Sequence, residues 1–414
     1  MSSQKIDTKV CIIGAGFAGL IVANMLQRYN IPYILIEKHS EAQISARQDM
    51  GLIDSQTENI LTENNLSDRL TTEAIAQSQC EFRTPEQSFI LNYAQKCRHQ
   101  TNYIYPQQKL LIDLISKLQH QSGEVLFETQ AVEINNHVDG ATVKCQQNGT
   151  TLTINCEFVA GCDGTHGITR ASIPQTSLKL RYKNFDYSWL SIRVQGNLAN
   201  RNTVYSTDPR GFAGYTLESD NILNYYLQIP KKDTVNQWSH ERIWSELELR
   251  LGELDGKLAR GEIIELQVLE IGSFTTQTMQ NNRLFLAGDS AHLMNPAGGK
   301  GLNLAIQDAD ILGQAFISYY CHHQNLALKN YSQTRLPIVR KIQQFSESLL
   351  QMINTHDDST PEGKSIQRVQ QFKRSQLMHS EIYALDFARN YVGYIPTKRS
   401  AVDLNSEQAL AKAS

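Results

Sequence analysis

Three glycines and an acidic residue near the start of the chain have the types and spacing needed to hold a phosphate-bearing ligand. Gly14, Gly16 and Gly19 form a G-x-G-x-x-G motif between the β-branched run KVCII and the apolar-periodic segment LIVANMLQRY. The first glycine allows a tight turn, the second lets backbone N–H groups approach a pyrophosphate at a helix N-terminus, and the third allows close helix-to-strand packing. Glu37 closes the next apolar run about twenty residues later, where an acid can accept a hydrogen bond from a ribose hydroxyl. FAD and NAD both satisfy this pattern.

Two later segments decide between these ligands. One reads CDGTHGITR and contains Asp163; the other reads RLFLAGDSAHLMNPAGGKGLN and contains Asp289. The small residues at 297–301 allow backbone N–H groups to approach the N1/O2 edge of a flavin, where negative charge develops on reduction. Both segments resemble those of the flavin-dependent aromatic hydroxylases, the single-component group A monooxygenases.

The resemblance to the para-hydroxybenzoate hydroxylase branch of that family extends over nearly the whole chain. It includes YPQQKLLIDL near Gln107, the stretch at 205–230, the segment VNQWSHERIWSELELRL and ARNYVGY near the end. Membership implies FAD as cofactor, NAD(P)H as electron donor, and a small aromatic substrate that reacts with O2. The implied reaction is transfer of one oxygen atom from a flavin C4a-hydroperoxide to the activated ring, without a metal.

The family's cofactor contacts carry over to the residues that match its motifs. Asp289 is implied to bind the flavin ribityl chain, and Asn303 to lie beside the flavin at a helix start. His166 and Arg170 are implied to face the nicotinamide coenzyme. The full set implied for the cofactor is Gly14, Gly16, Gly19, Glu37, Arg47, Gln107, Asp163, Asp289, Gly299, Lys300, Gly301, Leu302 and Asn303.

A second group of matching residues forms the implied substrate pocket. Tyr205 and Tyr391 match two tyrosines that hydrogen-bond in series to the substrate phenol and carry its proton to solvent. Each is expected to lower the pKa of its neighbour. Pro296 matches a proline whose carbonyl lies near the substrate oxygen, and Thr216 matches a serine that donates to the substrate's polar head group. Tyr226 belongs to the same implied pocket.

Several positions depart from the family's pattern. Glu218 and Asn224 stand where the family has pocket arginines, and a carboxylate inverts the sign of the site, so 4-hydroxybenzoate is expected to be a poor substrate. If Glu218 points inward, it favours a neutral donor or a cationic amine; the alternative is that it turns to solvent. Asp49 and Gly272 stand where arginines would approach NADPH, which leaves NADH, or reduced flavin from a separate reductase, open.

Two further functions stay open at this stage. N-hydroxylation of a primary aromatic amine would need no phenol, and Tyr391→Phe separates it from phenol hydroxylation because only a phenol requires the tyrosine relay. A non-catalytic flavin-binding sensor belongs to another class, and substrate-triggered NAD(P)H consumption with product formation excludes it. A flavin-dependent halogenase is disfavoured because Trp189, Trp238 and Trp244 do not form a W-x-W-x-I-P signature.

These residues need a doubly wound frame and a second sheet to position them. Strand, glycine turn, helix and strand in succession predict a parallel sheet that is covered by helices. Between Arg181 and Gly272 apolar and polar residues alternate, which predicts antiparallel strands, and from Leu302 onward the pattern is helical. The predicted fold class is α/β, with a Rossmann-type, glutathione-reductase-like FAD-binding domain at 1–75, 98–180 and 273–345, an antiparallel-sheet substrate domain at 76–97 and 181–272, and a helical C-terminal part at 346–414.

Composition restricts the class of partner. The 414 residues carry 39 Lys and Arg against 42 Asp and Glu, which argues against a nucleic-acid binder because such affinity rests on clustered excess cations. The chain contains neither an apolar stretch long enough to cross a bilayer nor a signal-peptide core, so we expect a cytoplasmic protein without membrane contact. Seven scattered cysteines without a C-x-x-C pair predict reduced thiols. Family habit implies a homodimer.

Overall fold

This computed structural model describes residues 4–46, 51–120, 124–196, 202–252, 258, 260–356 and 359–393. Its strands are β1 (Gln4–Ile13), β2 (Tyr33–Ile36), β3 (Leu52–Ile53), β4 (Ile75–Gln77), β5 (Gln79–Arg83), β6 (Ser88–Asn92), β7 (Asn102–Ile104), β8 (Val125–Leu126), β9 (Thr129–Asn136), β10 (Ala141–Gln147), β11 (Thr150–Gly161), β12 (Leu180–Gln195), β13 (Thr203–Asp208), β14 (Gly211–Ser219), β15 (Ile222–Pro230), β16 (Glu262–Thr276), β17 (Gln280–Asn281), β18 (Leu284–Leu286) and β19 (His292–Leu293). Its α-helices are α1 (Phe17–Arg28), α2 (Glu41–Ser45), α3 (Ser55–Glu63), α4 (Leu70–Glu73), α5 (Tyr93–Lys96), α6 (Gln107–His120), α7 (Ile168–Ala171), α8 (Gln175–Leu178), α9 (His240–Leu251), α10 (Lys300–His322), α11 (Leu326–Lys329), α12 (Tyr331–Ile353), α13 (Pro361–His379) and α14 (Glu381–Tyr391).

The first sheet is built around β1, whose last four residues are buried. The strand order is β17-β18-β11-β1-β2-β8, and β9 and β10 extend it from β11. Parallel pairs join β1 to β2 and to β11, and β11 to β18, whereas β10 pairs antiparallel with its neighbours. Helix α1 follows the glycine turn and packs against α6 and α10. The glycine turn therefore lies at the carboxyl end of the central strand, where open α/β sheets bind ligands.

The second sheet has the strand order β19-β16-β12-β15-β14-β13-β5-β6 and is antiparallel except between β13 and β5. Alternate residues of its strands face opposite sides. On β12, Leu190, Ile192 and Val194 pack into a core that includes Ile243 and Leu247 of α9. The intervening residues of β12 are thereby directed to the other face, which borders the first sheet's helix α10 and the carboxyl-terminal helices.

The carboxyl-terminal helices close the end of the second sheet. Helix α14 begins with Ser380, whose side chain accepts a hydrogen bond from the backbone N–H of Tyr383, and it ends at Tyr391. The Tyr391 ring packs on Phe387 and Tyr93. Helix α14 therefore places Tyr391 at the cavity face of the sheet, although Tyr391 lies 186 positions after Tyr205 in sequence.

The predicted fold class is confirmed, with the parallel Rossmann-type sheet, the antiparallel sheet and the helical carboxyl-terminal part all present. The domain boundaries stay a prediction. All seven cysteines are free, and six of them are buried. Among the described residues, none of the helices combines the length and apolar character that a bilayer crossing needs.

Candidate active site

The glycine turn shows three separate reasons for its three glycines. A Cβ on Gly14, which has φ +103°, would lie 2.4 Å from the backbone oxygen of Cys162, and one on Gly19 would lie 1.9 Å from the oxygen of Gly14. These two glycines are required by the protein's own packing. Gly16 differs, because a Cβ there would meet nothing within 4 Å and its backbone has an ordinary φ of −78°. Gly16 borders open space that a ligand can fill.

Glu37 orders this turn from the end of β2. Its Oε2 accepts a hydrogen bond from the Ala15 backbone N–H at 2.8 Å, and its Oε1 accepts from the His39 backbone N–H at 2.9 Å. The Nδ1 atom of His39 lies 2.7 Å from the same Oε1. Each carboxylate oxygen has two lone pairs. The carboxylate thus holds the loop while it also lines the neighbouring cavity.

Two cavities meet at this site. The first, of about 480 Å³, runs from the glycine turn past Asp163 to Asp289. The second, of about 300 Å³, lies over the antiparallel sheet. They share four lining residues, which are Gln107, Met294, Gly301 and Leu302. An elongated ligand in the first cavity therefore ends where the second begins.

The start of α10 forms the boundary between the cavities. Gly299 precedes the helix with φ +60°, and a Cβ there would lie 2.9 Å from the Leu52 side chain. Gly301 leaves its backbone accessible to both cavities because an added Cβ would meet only Met294, at 4.0 Å. The first N–H groups of a helix have no partner within it and favour negative charge. This boundary therefore suits an electron-accepting ring edge.

Two tyrosines meet on the wall of the second cavity. The hydroxyl oxygens of Tyr205 and Tyr391 are 2.9 Å apart, and both side chains are buried. The expectation that each tyrosine lowers the pKa of the other holds in one direction only, because Tyr391 lowers the pKa of Tyr205 through their hydrogen bond whereas Tyr205 raises that of Tyr391. Burial raises the pKa of both, and although the bond from Tyr391 lowers that of Tyr205, it does not offset the desolvation. Pro296 lies exposed to the same cavity, with its carbonyl accepting a hydrogen bond from the Gly299 N–H at 3.1 Å.

The opposite wall of the second cavity carries charged and polar groups. Thr216 Oγ1 lies 3.0 Å from Thr203 Oγ1. Glu218 is only 5% exposed and lines the cavity, so the alternative in which it turns to solvent is wrong. Its carboxylate accepts from the Arg193 guanidinium at 2.6 and 2.9 Å and from the Asn224 amide at 2.8 Å.

This arrangement corrects the expectation that Glu218 makes the pocket negative. Arg193, which the sequence analysis did not single out, neutralises it. A signal was present, because Trp189, Ser191 and Arg193 alternate on β12 and all three line the cavity. Tyr226 also lines it, with its ring against Trp189.

The family model for the FAD binding domain matches residues 7–346 of this chain. The p-hydroxybenzoate hydroxylase of Acinetobacter baylyi is 30% identical over 401 residues, which are 97% of this chain and 98% of that protein. The chain belongs to the group A flavin-dependent aromatic hydroxylases. It is an FAD-dependent monooxygenase with NAD(P)H as electron donor, so the non-catalytic sensor is set aside.

Solved structures of low sequence identity have the same fold as this hydroxylase. The p-nitrophenol 4-monooxygenase PnpA from Pseudomonas putida DLL-E4 has a TM-score of 0.77 at 17% identity, over 95% of this chain and all of that one. PqsL of Pseudomonas aeruginosa, solved in complex with 2-aminobenzoylacetate, has a TM-score of 0.73 at 19% identity, over 84% of this chain and 97% of that one.

The first cavity of the hydroxylase fits FAD. The open space at Gly16 accommodates a pyrophosphate, and the Asp289 carboxylate is accessible from the cavity although protein surrounds it. Desolvation raises the pKa of Asp289, and within the described residues its carboxylate has no hydrogen-bond partner. A ribityl hydroxyl would supply one. Gln107 and Leu302 stand where the flavin ring would reach the second cavity.

Other predicted cofactor residues of the hydroxylase use their side chains to hold protein. Asn303 lines neither cavity: its oxygen accepts from the Asp54 N–H at 2.9 Å, and its amide donates to the carbonyls of Leu52 and Gly299. The Lys300 ammonium is 1% exposed and donates to the Tyr391 carbonyl at 2.8 Å. The side chain of Asn303 therefore bonds within the protein, and its place beside the flavin stays a prediction; Lys300 offers the cofactor only its backbone.

The two residues expected on the coenzyme side, His166 and Arg170, differ in whether they line a cavity. His166 is exposed and lines the first cavity. Arg170 lines neither cavity, because its guanidinium donates to the Ser290 and Thr165 carbonyls and lies 4.5 Å from the Phe274 ring centroid. The Arg170 guanidinium thus links two loops, and its place on the coenzyme side stays a prediction.

Two further positions complete this comparison. Asp163 accepts hydrogen bonds from the Thr169 N–H, at 2.9 Å, and from its hydroxyl, so it caps the short helix α7 while it lines the first cavity. Arg47 and Asp49 lie outside the described residues.

Proposed function

We propose that this hydroxylase binds a small phenol in the second cavity, with the phenolic oxygen at Tyr205 and the ring facing the boundary with the FAD cavity. The observation that carries the proposal is the buried hydroxyl pair of Tyr205 and Tyr391, 2.9 Å apart on the wall of that cavity. Pro296 lines the same cavity.

The raised pKa values give the tyrosines a defined task. Both hydroxyls keep their protons at neutral pH because burial disfavours the phenolate form. With Tyr391 donating to the oxygen of Tyr205, the Tyr205 O–H donates to the substrate oxygen. This bond favours the ionised substrate, which is the more nucleophilic form of the ring. The pair thus stabilises, by donation, a phenolate whose proton has passed to solvent before the ring is enclosed, and the pair does not act as a proton acceptor.

The rest of the wall positions the ring and excludes water. Trp189 and Phe212 stack with ring centroids 4.6 Å apart, and both line the cavity. Thr216 offers a hydroxyl to a polar group at the far end of the substrate. When bound, reduced FAD supplies the activation of O2 and the oxygen atom that enters the ring. The aromatic part of the wall keeps water away from the reacting ring.

N-hydroxylation of a primary aromatic amine is the second candidate. The observation that favours it is the environment of Tyr391, whose titratable neighbours Cys80 and Tyr93 also have pKa values raised by burial. These neighbours provide no ready acceptor for a substrate proton. An amine needs none before it attacks. PqsL, which shares the fold, was solved with an amino-substituted ligand.

The deciding experiment combines coenzyme reduction with product analysis. FAD-loaded protein is mixed with NADH or NADPH and with phenols, anilines or aminophenols, flavin reduction is followed by stopped flow, and products formed under 18O2 are identified by mass. For a phenol hydroxylase we expect one heavy oxygen on a ring carbon and a loss of hydroxylation of about 100-fold or more in Tyr205→Phe and Tyr391→Phe.

A matched control is Tyr225→Phe, because Tyr225 is buried on the opposite face of the same sheet against Trp244. Its rate should stay within about twofold of the parent rate. Heavy oxygen on nitrogen, with both cavity variants fully active, would replace the phenol proposal by N-hydroxylation.

A further inference from the structure

The charged groups on the far wall of the substrate cavity form a closed set. Arg193 on β12 reaches across β15 to Glu218 on β14, and Asn224, which lies between them on β15, donates to the same carboxylate. Glu218 is the extra residue of a β-bulge, where the register shifts between Leu217 and Ser219. A bulge re-aims a side chain, and here the carboxylate is held against the guanidinium inside the cavity.

The pairing leaves little for an incoming charge. The carboxylate accepts three hydrogen bonds, two of them from the fork of Arg193, and the side chains of Arg193 and Glu218 are 14% and 6% exposed. Glu265 lies at the outer side, with its carboxylate 3.6 Å from Arg193 and half exposed. A substrate carboxylate would have to displace Glu218, and a substrate ammonium would have to displace Arg193. Either exchange leaves a buried charge without its partner, which is strongly unfavourable.

We infer that the Arg193–Glu218 pair determines substrate specificity and selects rings whose far end is uncharged but polar, excluding both carboxylate-bearing and ammonium-bearing rings. The inference rests on the proposed function in that it takes the second cavity as the substrate site. Uncharged amides or alcohols at that end can bond to Thr216 or to the outer faces of the pair without breaking it. Glu265 at the mouth adds a second reason for the exclusion of carboxylates.

The test uses three probes of similar size, 4-hydroxybenzamide, 4-hydroxybenzoate and 4-hydroxybenzylamine, which are neutral, anionic and cationic at neutral pH. Their dissociation constants are measured with FAD-loaded protein by the perturbation of the flavin spectrum, with equilibrium dialysis as a second readout. For the parent protein, we expect the dissociation constant of the amide to be about tenfold or more below that of either ion.

Two single variants should reverse this preference in opposite directions. Glu218→Gln leaves the Arg193 guanidinium without its carboxylate partner, so the affinity for the benzoate should rise about tenfold or more while the affinity for the benzylamine does not rise. Arg193→Gln leaves the carboxylate with Asn224 alone, so the benzylamine should gain by a similar factor. The Arg193→Gln, Glu218→Gln double variant leaves neither charge without its partner, so it should show neither the benzoate gain nor the benzylamine gain of the single variants. Where a single variant does not fold, the ranking of the three probes on the parent protein carries the test.

The matched control is Glu248→Gln. Glu248 and Arg260 form the same two-bond fork at 2.8 Å, but they lie on the surface, with side chains 42% and 55% exposed. This variant should leave all three dissociation constants unchanged.

The outcomes separate the inference from the proposed function. Benzoate binding to the parent protein as tightly as the amide, no binding by any probe, or single variants without reciprocal gains would each overturn the inference. If the amide is preferred and the reversals occur but no ring is oxygenated, the specificity assignment stands and the proposed reaction fails.

Discussion

The exchange Asp308→Asn tests how the fold supports the cofactor turn. Asp308 is fully buried on α10 and accepts hydrogen bonds from Arg335 Nε at 2.7 Å and from the Gly288 backbone N–H at 2.9 Å. His292 Nε2 lies 2.6 Å from the same carboxylate. Gly288 directly precedes Asp289 in the cofactor turn. The carboxylate therefore joins the helix, the turn and α12.

The expected magnitude follows from the charge that remains. Asparagine has nearly the same size, so no cavity forms, but the Arg335 guanidinium, 1% exposed, loses its counter-ion. Removing one partner of a buried pair costs about 3–5 kcal/mol. In the parent protein the carboxylate faces hydrogen-bond donors, and in the variant the asparagine amide would direct its own N–H group toward one of them. We therefore expect a loss of about 3–5 kcal/mol in the free energy of unfolding and weaker FAD binding.

The assay is denaturant unfolding of the apoprotein and of the FAD-loaded protein, because bound cofactor adds its own stabilisation. The control is Glu133→Gln, which breaks a solvent-exposed pair with Lys144 and should leave the free energy of unfolding nearly unchanged. The double variant Asp308→Asn, Arg335→Met removes the uncompensated charge and should recover part of the loss. A loss below about 1 kcal/mol in Asp308→Asn, or no recovery in the double variant, would refute the reasoning.

Four further outcomes are expected. Gly16→Ala should fold with parental stability and bind FAD about tenfold or more weakly. Gly19→Ala should destabilise the apoprotein, because the added Cβ would collide with the backbone of Gly14. Circular dichroism measures the stability of the two variants, and flavin titration measures their FAD affinity. Asn303→Ala, which removes three buried hydrogen bonds, should lower the free energy of unfolding by about 2–4 kcal/mol in denaturant titration, and an unchanged midpoint would contradict the assigned role. Desolvation raises the pKa of Asp289 in the folded apoprotein, so its ionised form opposes folding at neutral pH. Asp289→Asn should therefore raise the melting temperature of the apoprotein and weaken FAD binding. A variant in which apoprotein stability and FAD affinity both rise, or both fall, would contradict this. Burial alone would raise the pKa of Asp308, but His292 and Arg335 hold it below its ordinary value. The contribution of the ionised Asp308 carboxylate to stability is therefore complete above about pH 4 and is lost as the pH falls through its folded-state pKa. In acid-unfolding series, the difference in stability between the parent and Asp308→Asn should shrink below about pH 4.

Much of the cofactor region was predictable because its chemistry depends on residues close together in sequence. The turn at Gly14, Gly16 and Gly19 needs only strand, turn and helix in succession; the structure gives Gly14 and Gly19 a steric reason within the protein, and Gly16 borders open space. The alternation of residues along β12 likewise places Trp189 and Arg193 on one face, which is the face that lines the cavity.

Side-chain roles were less predictable, because a motif determines which residue is present but not which partner reaches it first. Asn303 and Arg170 occur at motif positions, yet their polar groups are taken by backbone carbonyls of neighbouring loops. A buried polar group bonds to the nearest available partner, and that partner is set by packing. Steric reasons found within the protein therefore support the predicted roles of Gly14 and Gly19, whereas the cofactor contacts predicted for the polar side chains stay predictions.

The sequence by itself determined the order of strands and helices, the FAD-binding turn, the family and the two tyrosines that meet in the cavity. Only the tertiary structure decided the electrical character of that cavity, because Glu218 acquires its guanidinium from a strand two positions away in the sheet and 25 residues earlier in the chain. It also decided the direction in which the pKa values of the tyrosines shift, since desolvation depends on everything packed around them and not on the neighbours in sequence.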